Sequence, residues 1–93
     1  MLTVRARTEL RKVIRALKER GVSGYRMAKE GGFNRSNVAF VSRGRSLPVS
    51  DSMTRRVLVV IRDEAEKTGV DFPAEKFEKY LGHDATVAQR PGR

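Results

Sequence analysis

Between Ser23 and Arg45 the chain concentrates side chains suited to recognising phosphates and base edges: Ser23, Tyr25, Asn34, Arg35, Ser36, Asn37, Arg43 and Arg45. An arginine forks onto guanine O6 and N7, and an asparagine pairs with the adenine edge. Serine and tyrosine hydroxyls, helix-start amides and further arginines suit phosphate oxygens. This is binding chemistry, and nothing in the sequence adds catalysis to it. The carboxylate neighbours Asp63/Glu64 and Glu75/Glu78 lie in an acidic stretch, where charge balance is their ordinary role. Gly31-Gly32 lacks the preceding strand that a phosphate-cradling glycine loop requires. There is no cysteine and a single histidine, His83, which excludes thiolate chemistry, cysteine zinc sites and multi-histidine metal sites. The expectation is a protein that is not an enzyme and uses no metal or cofactor.

Charge says what such a surface would meet. Twenty Lys/Arg against eleven Asp/Glu give a formal net charge of +9 on 93 residues. Residues 1–62 hold fifteen basic and four acidic side chains, whereas residues 63–84 hold three basic and seven acidic. A basic body with an acidic far end describes a molecule with one polyanion-facing side. The longest apolar run, Val57–Ile61, falls far short of the roughly 20 residues of a membrane span. Arg5, Arg7, Glu9, Arg11 and Lys12 interrupt any signal segment at the start. A cytoplasmic protein with no membrane partner is expected.

The elements that must position these residues are helices. Thr3–Arg20 places Leu10, Val13, Ile14 and Leu17 on one apolar stripe, with Arg5–Glu9 and Arg15–Glu19 on the wet side and Gly21 as the stop. Ser23 caps a second helix, Gly24–Glu30, with Met27 and Ala28 inward. Asn34 caps a third, Arg35–Arg43, with Val38 and Val41 inward, followed by Gly44 and a Leu47-Pro48 turn. A fourth opens at Ser50 or Asp51 and runs to Lys67, before Gly69. Its stripe is Met53, Val57, Leu58, Val60, Ile61 and Ala65, with Val59 on the opposite, charged side. Asp71–Leu81 reads as a fifth, with Pro73 near its start. No segment alternates with period two. The prediction is an all-α, compact bundle of about five helices sharing one core, over residues 1–81, with a tail over 82–93.

The second and third helices, joined through Gly31–Asn34, are predicted to cross steeply, with Ala28 small at their contact and Gly32 supplying a positive φ. The run from Ser23 through Met27, Ala28, Gly32, Phe33, Asn34 and Val38 to Arg45 resembles the helix-turn-helix of the Cro/phage-repressor (Xre-type) DNA-binding family. Ala28, Gly32, Val38 and Val41 stand at the pattern's small, turn and core positions, and Leu47-Pro48 with the helix over 51–61 fits its fourth helix. The likeness covers residues 8–65. Gly31 replaces a larger apolar residue and Phe33 is bulkier than the common valine or isoleucine, departures expected to tilt the third helix. The resemblance implies a lambda-repressor-like domain and a bacterial or phage transcription regulator, a homodimer on a palindromic operator.

With Val38 and Val41 inward, the outward residues meet double-stranded DNA. Arg35, Ser36, Asn37, Ala39 and Phe40 are the candidate base readers, because a recognition helix enters the major groove with its N-terminal residues on the base edges. Ser23, Tyr25, Asn34, Arg43 and Arg45 are the candidate phosphate contacts, Asn34 acting first as cap. Val59, pointing away from the fourth helix's stripe, and Phe72, Phe77, Tyr80 and Leu81, which exceed what a short terminal helix needs, are the candidate homodimer surface. The expected action is repression by occupying a promoter. Two rivals stand beside it. An antitoxin-type protein would bind DNA and also hold a basic protein partner through the acidic 63–84 segment. A non-specific nucleic-acid-binding protein would show purely salt-driven affinity.

Overall fold

The computed structural model describes residues 2–44 and 49–82. The Leu47-Pro48 turn, Arg45, His83 and the tail beyond Gly82 lie outside the described residues. Helix α1, Val4–Glu19, starts where Thr3 Oγ1 accepts the amide of Ala6 at 3.1 Å. Ala6, Leu10, Val13 and Leu17 form its buried stripe, while Ile14 sits half-buried on the flank. Val22 closes the connection from below, fully buried.

Helix α2, Gly24–Gly31, is capped by Ser23, whose Oγ accepts the Arg26 amide at 3.1 Å. It ends at Gly32 in the left-handed conformation, φ 71°, the turn position that only glycine fills without strain. Helix α3, Ser36–Arg43, follows. Its dihedral boundary falls at Arg35, but the cap is Asn34: Oδ1 accepts both the Ser36 amide and the Ser36 hydroxyl at 2.9 Å. Val38, Val41 and Ser42 are its buried face.

Helix α4, Asp51–Thr68, is the axis of the molecule, packing against α1, α2 and α3. Val57, Leu58, Ile61 and Ala65 are fully buried in the common core. The C-terminal segment corrects the expectation of one helix over Asp71–Leu81. Pro73 brings no amide to a helical ladder, and the chain makes a 3-10 turn, Ala74–Phe77, before the single-turn helix α5, Glu78–Leu81. Arg55 of α4 donates to the carbonyls of Tyr80 (2.8 Å) and Leu81 (3.1 Å), holding this end against α4. Phe72 stacks on Phe77 with centroids 5.1 Å apart.

The described residues are therefore all-α, without a strand, and no described helix is long and apolar enough to cross a membrane.

Candidate nucleic-acid interface

A groove of about 690 Å³ opens where α1 and the starts of α2 and α3 converge. The α2 start contributes Ser23, Gly24 and Tyr25. The α3 segment contributes Asn34, Arg35, Ser36, Val38, Ala39, Ser42 and Arg43, and α1 adds Ile14 and Lys18. Three of these side chains are cationic and none is acidic. The aliphatic stem of Arg35 lies across the start of α2, its Cγ 3.6 Å from where a Cβ on Gly24 would stand. Tyr25 is 63% exposed, one of two large apolar side chains among the described residues left mostly in solvent. Burial therefore does not account for its ring.

The helix-forming signals explain why these groups converge. Ser23 and Asn34 each end a connection by capping the next helix, which places two helix starts at one mouth. Helix α1 runs opposite to α3: Arg7 lies beside Gly44, and Arg11 donates to the Ser42 carbonyl at 2.9 Å. The same flank of α1 carries Ile14 and Lys18 into the groove wall.

Of the residues expected from sequence, Ser23, Tyr25, Asn34, Arg35, Ser36, Ala39 and Arg43 line this groove. Asn37 and Phe40 do not; they are half-buried on the other flank of α3. Arg45 lies outside the described residues. Lys18 and Ile14 were not foreseen, although residues 7, 11, 14 and 18 repeat at helical spacing beside the core stripe.

The candidate dimer surface is corrected. Phe77, Tyr80 and Leu81 are buried in the chain's own core, because α5 folds back onto α4. Val59, expected on a charged face, is half-buried and packs against that core. Arg55, which bonds the Tyr80 and Leu81 carbonyls, and Val59 are one turn apart on α4, so the covered face of α4 is wider than a single stripe. Phe72 is half-buried under its stack with Phe77.

Behind the groove, at the far end of α2, lies a second charged cluster. Glu64 of α4 has a side chain only 1% exposed, with Arg26 Nη2 at 3.7 Å and Lys67 Nζ at 3.6 Å. The same Arg26 reaches Glu30 at 3.4 Å, so one guanidinium touches both carboxylates. The facing Glu30 carboxyl, with which it would share a proton, then burial and the negative charge of Glu30, raise the Glu64 carboxyl above its ordinary value against Lys67 and Arg26. As the side chains stand, neither Glu64 oxygen has a hydrogen-bond partner among the described residues. Sharing a proton with Glu64, helped by Arg26 and Lys67, lowers Glu30 despite some desolvation. The cluster joins α2 to α4. Among the described residues no group of three His, Cys, Asp or Glu could hold a metal ion.

Comparison with family models, characterised proteins and solved structures gives no match for this chain.

Proposed function

We propose that this chain is a sequence-specific DNA-binding transcription regulator, acting as a repressor through a helix-turn-helix made of α2 and α3. The groove carries the reading. It joins Lys18, Arg35 and Arg43 with an exposed Tyr25 and two helix starts, and no carboxylate interrupts it. Helix starts and cations suit phosphate oxygens, while the small Ser36 and Ala39 let α3 approach base edges closely. The net charge of +9 gives the long-range attraction. The resemblance to the Cro/phage-repressor pattern points the same way, and a homodimer on a palindromic operator follows from it.

Selection of bound duplexes from a random DNA pool tests this. The expected result is an enriched site with two related half-sites, bound at least about a thousandfold more tightly than a scrambled duplex. Affinity for both duplexes should fall steeply between low and physiological salt. A pool that yields no preferred sequence, with equal affinity for scrambled DNA, would reject the regulator in favour of a non-specific nucleic-acid binder.

A further inference from the structure

We propose that Arg7 and Arg11 are positioning residues that clamp the C-terminal end of α3 onto α1, and are not themselves contacts to DNA; this rests on reading α3 as the recognition helix. On its own, α1 is electrostatically frustrated. Its first turn holds Arg5 and Arg7 and no acid, against the helix dipole. Arg7, Arg11 and Arg15 repeat at i, i+4, a spacing at which like charges repel. A partner outside α1 must offset this, and for two of the three it is within the molecule.

Arg11 Nη1 donates to the Ser42 carbonyl at 2.9 Å, one of the last-turn carbonyls that a helix leaves without an internal partner. Its Nη2 is steadied by Thr8 Oγ1 at 3.3 Å. Arg7 donates to the Leu2 carbonyl at 2.7 Å, and its guanidinium lies beside Gly44. A Cβ at Gly44 would stand 2.6 to 2.7 Å from three atoms of that guanidinium. Gly44 is required for its left-handed end at φ 64°, and its bare Cα also leaves room for the Arg7 guanidinium, a flexible side-chain end that a Cβ would displace. Two cations at the negative end of the α3 dipole are favourable there. With this end pinned to α1 and Asn34 fixing the other, the rotation of α3 about its own axis is set. That rotation decides whether Ser36, Ala39 and Arg43 face the groove together.

The test combines amide hydrogen exchange on the free protein with salt titrations of DNA binding, using Arg11→Met, which keeps the stem and loses the charge. A clamp predicts exchange about tenfold faster or more at the α3 amides of residues 40–44, with the α2 amides unchanged. It also predicts roughly tenfold weaker binding to the selected duplex with the salt slope retained. A phosphate contact predicts the reverse: normal exchange, and a slope reduced by about one unit. Either of those two results overturns the proposal. Should Arg11→Met fail to fold, Arg7→Met carries the same two readouts. If the wild-type protein selects no duplex, the DNA-binding reading fails while the exchange measurement still decides the clamp.

Discussion

Arg35 and Arg43 bracket α3 and offer the cleanest division of labour among its side chains. Arg35 immediately precedes the helix, with its stem laid over Gly24 and its head free to reach the groove floor. Arg43 stands two turns later, exposed at the end where such a helix climbs toward the phosphate rim. Arg35→Ala should then cost about 1–3 kcal/mol on the selected site and relax preference at one base-pair position per half-site. Arg43→Ala should weaken selected and scrambled duplexes alike and lower the salt slope by about one. Both side chains are exposed, so both variants should keep the wild-type circular dichroism spectrum. Val38→Asp should not, since it buries an unpaired charge. Intact base preference in Arg35→Ala would sink the assignment and pass the reading role to Ser36 or Ala39 in the groove. Asn34 belongs to a different category: its Oδ1 already serves Ser36 twice, and Asn34→Ala should lower stability by about 1 kcal/mol.

Between α2 and α3, Gly31 and Phe33 compete for one space. A Cβ on Gly31 would overlap the Phe33 ring and come within 2.9 Å of Val60 Cγ2. The Phe33 ring fills the volume beside α4 that a side chain on residue 31 would need. Gly31→Ala alone should therefore overpack the turn by about 1–3 kcal/mol, and Phe33→Val alone should leave a cavity of similar cost. The double variant should recover about 1 kcal/mol or more relative to their sum, measured by urea unfolding. Strict additivity would show that the two residues do not share a space. At the other end of α2, the Glu30–Glu64 pair makes the α2–α4 junction sensitive to pH. Glu64 is raised, so its stabilising protonated form is present below pH 4.5 and is lost as pH rises through its folded value. Glu30 is lowered, so its contribution is present above pH 4.5 and is lost as pH falls through its folded value. In urea unfolding across pH 4 to 7, wild type should lose stability relative to Glu64→Gln as pH rises. Parallel profiles for the two proteins would refute the coupling. The helices themselves were legible, because caps at Thr3, Ser23, Asn34 and Ser50 and stops at Gly32, Gly44 and Gly69 are local signals. The junctions were not. Glu64 reads as a solvated acid until α2 lies over it, and Val59 reads as exposed until the core packs beside it. Such burial depends on which helices become neighbours, and a single helix's periodicity carries no trace of that.

At the scale of the whole molecule, shape and burial constrain how two copies could share an operator. The described residues measure 36 × 28 × 25 Å, whereas half-sites one turn apart hold their readers about 34–36 Å from each other. Copies whose recognition helices stand at that spacing are about one molecular diameter apart and meet at their edges. An edge contact of that kind buries limited area, and small interfaces are weak without a shared scaffold. The aromatic cluster at the far end does not enlarge it. Phe77 is 0% exposed within the monomer, and Phe77→Ala should destabilise the fold by about 3–5 kcal/mol without first changing the association state. The free chain should therefore sediment as a monomer at low micromolar concentration and bind a palindromic duplex as two copies with positive cooperativity. Inserting about 5 base pairs between the half-sites puts the second copy on the opposite face of the duplex, and the cooperativity should vanish while each half-site still binds one chain. A tight dimer in the absence of DNA, dissociated by a Phe77 variant that remains folded, would place the interface at α5 and overturn this arrangement. Non-cooperative binding of one chain per half-site, unaffected by spacing, would instead remove the dimer from the proposal and leave a monomeric reader.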